Sequence, residues 1–184
     1  MKLSIKILAV VTLSLGLNAS AWSHPYHTVS GTDAEPTPEQ WIDWGQRVHG
    51  GFGVLIAAGI RIGLDAQSHL NATRRQMRVT FYDSDIAPCP CLADGIIVAV
   101  SASPGQRTLI MSDEKAGEGW YAEILFEHRS SGEQVRYCVR PEAMFAFNEV
   151  QRQPDFRLRF DAVMGVDFSE IAERSPDPMR CPDP

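Results

Sequence analysis

The apolar residues of this chain switch repeatedly between a helical and a strand-like period, and this alternation most limits the folds open to it. Trp41, Trp44 and Val48 lie on one helical face, whereas other segments alternate strictly, as strands do. The patterns predict helices at residues 38–49, 54–67, 92–102 and 141–150, and strands at 77–82, 107–111, 121–128, 134–140 and 156–160. Because helices and a hairpin are mixed in one stretch, we expect a single α+β domain over residues 38–184.

The first 21 residues have the three parts of a secretory signal peptide. Lys2 and Lys6 supply positive charge, residues 7–17 form a mostly apolar run without charge, and residues 19–21 (ASA) resemble a signal-peptidase site. The alternative is a membrane anchor, but this run has about half of the ~20 residues that a bilayer-spanning helix needs. We therefore expect cleavage after Ala21 and a periplasmic or secreted product.

The charge balance argues against nucleic acid as a partner. Without the two signal lysines the chain has 15 basic and 23 acidic residues, a net charge of −8. One basic cluster, Arg74, Arg75 and Arg78, is most simply a solvated strand edge. Beyond the signal, no stretch has the length and hydropathy of a membrane span. We therefore expect neither a nucleic-acid partner nor a membrane span after cleavage.

Residues 22–37 form an arm, expected to be mobile, that is rich in Ser, Thr, Gly and Pro and contains His24 and His27. Cleavage after Ala21 would place His24 third, where the free amine, two amides and the imidazole suit Cu(II). Cleavage after Ser23 would place His24 first, with His27 as a further nitrogen. The alternative is a disordered arm whose histidines have no role.

The chain has four cysteines, Cys89, Cys91, Cys138 and Cys181, and an even count in an exported chain usually means disulfides. Cys138 lies on a predicted strand and Cys181 in the C-terminal tail, so we predict that they pair. Cys91 begins a predicted helix, where the helix dipole stabilises a thiolate. Cys91 is therefore half of a disulfide, a metal ligand or a reactive thiol.

Three blocks of sequence resemble a known protein family. Residues 49–61 (HGGFGVLIAAGIR) are similar to its H-G-H-x-C-P-G-x-x-x-G-x-R signature, residues 91–96 (CLADGI) to C-x-x-D-A-I, and residues 101–106 (SASPGQ) to G-C-T-x-G-K. The hairpin and the following residues 140–142 also fit. The resemblance is to the formylmethanofuran dehydrogenase E-subunit family, and it extends over residues 38–150.

The resemblance implies an α+β domain with a mainly antiparallel sheet packed against helices, often paired as a homodimer. It also implies a zinc site built from the H-G-H loop and the family cysteines. Of those ligand positions only His49 and Cys91 persist here, since glycine or alanine replaces the others at positions 51, 53 and 102. Structural zinc needs four ligands and catalytic zinc three plus water. Cys89, Asp94, His24 and His27 are the residues that could complete the set.

Asp94 has a simpler explanation, because a carboxylate three residues after Cys91 is well placed to cap the start of a helix. The chain contains no phosphate loop, no nucleotide fingerprint and no H-E-x-x-H motif. The sequence therefore favours an exported metal- or small-ligand-binding accessory protein without turnover. Two alternatives remain: a thiol–disulfide redox protein using Cys89 and Cys91, and a metal-dependent enzyme completed by the arm or a dimer partner.

Overall fold

The computed structural model describes residues 35–183, in which seven helices and five strands alternate in mixed order. The signal peptide predicted at residues 1–21 and nearly all of the arm lie outside this part of the chain. The helices are α1 (Pro38–His49), α2 (Val54–His69), α3 (Cys91–Val100), α4 (Pro141–Ala146), α5 (Asn148–Gln151), α6 (Phe156–Gly165) and α7 (Phe168–Ile171). The strands are β1 (Met77–Asp83), β2 (Leu109–Met111), β3 (Ala122–His128), β4 (Gln134–Val139) and β5 (Ala172–Arg174).

Helix α1 begins and ends where the sequence predicts. The Thr37 hydroxyl accepts a hydrogen bond from the amide of Gln40, and the Gln40 side chain accepts one from the amide of Thr37, which forms a complete capping box. Gly50 ends the helix in a left-handed conformation, with φ of 86°. These two caps place His49, the last residue of α1, at the entrance to a glycine-rich loop.

The strands form one sheet in the order β2-β1-β3-β4-β5. The pair β1–β2 is parallel, whereas β1–β3, β3–β4 and β4–β5 are antiparallel. The predicted α+β class with a mainly antiparallel sheet is therefore confirmed. Strand β2 lies at one edge of the sheet, and strand β1 leads directly into the loop that contains Cys89.

Helices α2 and α3 cross at very short range. A Cβ atom added to Gly95 would lie 2.1 Å from the carbonyl oxygen of Ile56, and one added to Gly59 would lie 2.1 Å from that of Leu92. Only glycine permits such a close approach of two backbones. The residues around the crossing, including Ile60 and Ile96, are fully buried. This crossing fixes the first turn of α3, where Cys91 lies, against α2.

The prediction of a strand at residues 156–160 is wrong, because this segment begins helix α6. The Asp155 carboxylate accepts a hydrogen bond from the amide of Arg157, 2.8 Å away, and so caps a helix. Phe156, Phe160 and Val163 recur at helical spacing, and the two phenylalanine rings pack on Phe52. Within five residues, apolar residues at the first and last positions fit both a strand and a helix. Only the longer pattern, which includes Val163, distinguishes the two.

The last strand of the sheet is β5, at Ala172–Arg174, which pairs with β4. The single helix predicted at residues 141–150 is divided into α4 and α5, which meet at Phe147. Among residues 35–183, no individual helix has the length and hydropathy of a bilayer span. Helices α1 and α2 reach that threshold as a pair, but a bend of 113° separates them.

Candidate functional site

The Cys89–Cys91 disulfide opens into a cleft of about 560 Å³ between the start of α2 and helices α4 and α5. We call this the disulfide cleft. Its walls are mainly apolar, and its polar groups come from separate elements. The apolar lining residues include Val54, Leu55, Ile56, Ile86, Met144 and Phe145, and the polar ones are His49, Tyr121, Asn148 and Gln151.

Cys89 and Cys91 are bonded to each other, so the structure supports the first of the three roles considered for Cys91. Both residues are half-buried, which leaves their sulfurs partly accessible from the cleft. Cys91 is the first residue of α3, a helix of ten residues. The disulfide thus lies at the positive end of a helix dipole and at the wall of a cavity.

The second disulfide is confirmed as predicted, and its surroundings are different. It joins Cys138 on β4 to Cys181 in the C-terminal tail, across 43 positions of sequence. Cys138 is 0% exposed. The tail is also held by the carbonyl of Pro182, which accepts a hydrogen bond from the Trp120 indole at 2.9 Å. This disulfide therefore ties down the tail and has no access to a cavity through Cys138.

His49 and Asp94 form a polar pair beside the Cys89–Cys91 disulfide. The imidazole Nδ1 lies 2.7 Å from Asp94 Oδ2, and each side chain is about one-third exposed. Because a carboxylate accepts, Nδ1 carries the proton in this bond, and Nε2 remains outside it. The expectation that Asp94 caps α3 is not met, since α3 has no side-chain cap and Asp94 binds His49.

A second recess, of about 410 Å³, is also lined by this disulfide. His49, Asp94, Cys89 and Cys91 line it together with residues of α3 and the edge strand β2, among them Met111. The disulfide and His49 therefore line both depressions, whereas Asp94 lines only the second. His49 and Cys91, which the sequence treats as a possible ligand pair, do line common cavities.

Helix α5 contributes a polar side chain that the sequence did not indicate. Gln151 Oε1 accepts a hydrogen bond from the amide of Val54, 2.9 Å away. A Cβ atom added to Gly53 would lie 2.9 Å from that same oxygen. The Gln151 amide therefore occupies the space that a side chain at position 53 would need. In the sequence, the glycine at position 53 is the only sign that another side chain fills this space.

Tyr121 is a buried aromatic residue in the lining of the disulfide cleft. Burial raises the pKa of its phenol to about 12, and the nearby negative charge of Asp83 adds to the shift. The ring is 2% exposed and meets the Phe145 ring edge-on, with centroids 6.3 Å apart. The phenol is therefore neutral at physiological pH.

The donors present in this state do not fit a zinc ion. The Cys89 and Cys91 sulfurs are bonded to each other and cannot act as thiolates, and His49 Nδ1 is engaged by Asp94. Within residues 35–183 no group of three His, Cys, Asp or Glu side chains is arranged to hold a metal ion. His24 and His27, the predicted copper ligands, lie outside the described residues.

Comparison with known proteins agrees with the sequence signature. A search of curated proteins finds no match. A family model described as "FmdE, Molybdenum formylmethanofuran dehydrogenase operon" matches residues 48–169, which include the glycine-rich loop, both crossing helices, the hairpin and α6. The match extends over more than half of the chain. The chain therefore belongs to the FmdE family, that of the formylmethanofuran dehydrogenase E-subunit.

Proposed function

We propose that this family member carries out thiol–disulfide exchange at Cys89–Cys91, after export to the periplasm or beyond. One observation carries the proposal: a half-buried disulfide between residues two apart opens into a formed cleft. Accessible disulfides are the ones that exchange, whereas buried ones are structural. The chain supplies its own comparison, because the Cys138–Cys181 disulfide is buried at Cys138.

The exchange consists of two displacements. A thiolate of the substrate attacks the Cys89 sulfur, the Cys89–Cys91 bond breaks, and Cys91 leaves as a thiolate while a mixed disulfide forms at Cys89. A second substrate thiolate then attacks the substrate sulfur of that mixed disulfide and releases Cys89. Two substrate thiols become one substrate disulfide, and the protein takes up two electrons and two protons.

The position of Cys91 supports this choice of leaving sulfur. Cys91 is the first residue of α3, so the free amides of the first helical turn stabilise negative charge on its sulfur. A better-stabilised thiolate leaves faster. Cys89 lies outside the helix, in the loop after β1, and lacks this stabilisation. Attack at Cys89 is therefore favoured over attack at Cys91.

Graded reduction of the folded protein tests the proposal. The protein is equilibrated in dithiothreitol buffers, free thiols are alkylated, and each cysteine is assigned by peptide mapping. We expect Cys89 and Cys91 to open together under conditions in which Cys138 and Cys181 remain joined. If both disulfides open together, and only with loss of the folded circular dichroism spectrum, the proposal is wrong.

A trapping variant adds a second readout. In Cys91→Ser, Cys89 has lost its resolving partner. When the substrate is supplied as a disulfide, one half of it should therefore remain joined to Cys89 as a mixed disulfide. The matched variant Cys89→Ser leaves Cys91, whose thiolate is the better leaving group and should hold the adduct less well. Equal adduct lifetimes on the two variants would contradict the assigned direction of attack.

Binding without turnover is the second candidate, and the disulfide cleft itself favours it. A cavity of about 560 Å³ with apolar walls and few polar groups has the form of a small-ligand site. The bound ligand could be zinc only when Cys89 and Cys91 are reduced to thiols, because His49 and Cys91 could then serve as ligands. Elemental analysis of oxidised and reduced protein separates the two functions. Stoichiometric zinc that is lost in both His49→Ala and Cys91→Ser favours binding.

A further inference from the structure

We infer that the substrate of Cys89–Cys91 is a small apolar thiol, or its disulfide, that has no negative charge near the sulfur. This inference rests on the proposed exchange function and specifies its substrate. The inference depends on the side chains that line the disulfide cleft and on the charged groups near them.

The disulfide cleft offers no ionic partner to an anion. Among the described residues that line it there is no lysine, arginine, aspartate or glutamate. His49 is bonded to Asp94, so the pair has a net charge of zero or −1 whichever way the imidazole is protonated. An anionic group that entered would lose hydration without gaining a counter-charge, which is costly.

Two residues of the lining interact with carboxylates. Asp94 is bonded to His49, and the negative charge of Asp83 acts on Tyr121. Without the predicted signal peptide the chain has a formal net charge of −8. At long range this net negative charge disfavours the approach of an anionic thiol such as glutathione.

The rim of the cleft favours an apolar group. Phe145 is 52% exposed and Ile86 is 48% exposed, and both line the cleft. Phe145 is held in place edge-on to the buried ring of Tyr121. An apolar group bound here would remove both side chains from water, and this burial is the main source of affinity in such a site.

The polar groups that α5 contributes to the lining are neutral. Gln151 uses its side-chain oxygen to accept from Val54, so its amide nitrogen can donate to a bound group. Asn148, one turn earlier on α5, adds a second amide. These groups suit an uncharged carbonyl, amide or hydroxyl on the substrate, and they complete a site without formal charge.

Two matched thiols test the inference: phenylmethanethiol and its para-carboxylate. Their rates of opening Cys89–Cys91 are measured by alkylation and mass spectrometry, each divided by its rate with a blocked Cys-Pro-Cys peptide disulfide. This normalisation removes the intrinsic reactivity of each thiol. We expect the normalised rate for the neutral thiol to exceed that for the carboxylate by at least about tenfold, because the carboxylate loses hydration in the cleft without gaining a counter-charge.

Variants assign this preference to the cleft. Phe145→Ala should lower the rate with the neutral thiol and bring the ratio toward one. Leu158→Ala, which removes an equally exposed side chain outside the cleft, should leave the ratio unchanged. Ile86→Ala provides a second cleft variant if Phe145→Ala unfolds.

The outcomes separate the inference from the function on which it rests. A normalised ratio near one, or a ratio that neither cleft variant changes, overturns the substrate class while exchange itself stands. Failure of both thiols and of dithiothreitol to open the folded disulfide overturns exchange, and the substrate class with it.

Discussion

The close crossing of α2 and α3 gives a sharp stability prediction. In Gly95→Ala the new Cβ would lie 2.1 Å from the carbonyl oxygen of Ile56 and 2.8 Å from the amide nitrogen of Ile60. Both atoms belong to the backbone of α2, so no side-chain rotation can relieve the overlap. Helices α2 and α3 must separate by about 1 Å to restore van der Waals contact, and a gap of that size forfeits up to about half of each contact energy across the interface.

Overpacking of a well-packed core costs about 1–3 kcal/mol. A backbone-to-backbone overlap belongs at the upper end, so we expect Gly95→Ala to lower the free energy of unfolding by about 3 kcal/mol. For a domain of this size that change corresponds to a fall in Tm of about 6–12 °C. Because α3 begins at Cys91, the separation should also move the disulfide relative to the α2 wall of the cleft.

Urea unfolding followed by far-UV circular dichroism measures the change. Gly165→Ala is the matched control, since this helical glycine has nothing within 4 Å of the position of a new Cβ. Alanine is the better helix former, so the control should be neutral or stabilising by up to about 1 kcal/mol. Equal stability of Gly95→Ala and the wild-type protein would refute the close crossing of α2 and α3.

Three further predictions concern other parts of the chain. Replacing Cys138 and Cys181 by serine opens a loop of 43 positions and should lower the free energy of unfolding by about 4 kcal/mol. Urea unfolding measures this change, and an unchanged midpoint would refute the prediction. The raised pKa of Tyr121, about 12, lies above the value of about 10 in the unfolded chain. The neutral phenol therefore adds its full contribution to the free energy of unfolding below pH ~10. This contribution falls by about 2 kcal/mol as the pH rises to about 12. Tyr121→Phe should flatten that fall, and equal slopes would contradict it. Mature protein with a free amine should bind Cu(II) more tightly in titration calorimetry than an amine-acetylated form, whereas equal affinity would exclude the arm site at His24.

Local chemistry alone determined much of the fold. The Thr37 cap and Gly50 set the ends of α1 because they act on backbone groups within one turn. The alternating residues predicted strand β1 and the antiparallel hairpin of β3 and β4, since a short turn between two strand patterns fixes such a pair. The mainly antiparallel character of the whole sheet was implied by the family resemblance. The sequence also showed that this chain lacks several ligands of the family signature, at positions 51, 53 and 102, and it predicted the pairing of Cys138 with Cys181.

Local pattern failed where a longer range decided the outcome. The five residues from Phe156 to Phe160 fit a strand, but the Asp155 cap and packing on Phe52 make them a helix. The strand that completes the sheet comes from Ala172–Arg174, a segment too short to show a period. Its pairing with β4 depends on neighbours that only the folded chain provides.

The candidate site, like the fold, was predicted in part from the sequence and in part determined only by the tertiary structure. The sequence singled out His49, Cys89 and Cys91 because their types and spacing suit thiol or metal chemistry. Only the tertiary structure joined the two cysteines, brought Asp94 to His49, and placed Gln151 where a side chain at position 53 would lie. These contacts join residues up to about a hundred positions apart, and a pattern read along one segment contains no information about which distant segment will pack against it.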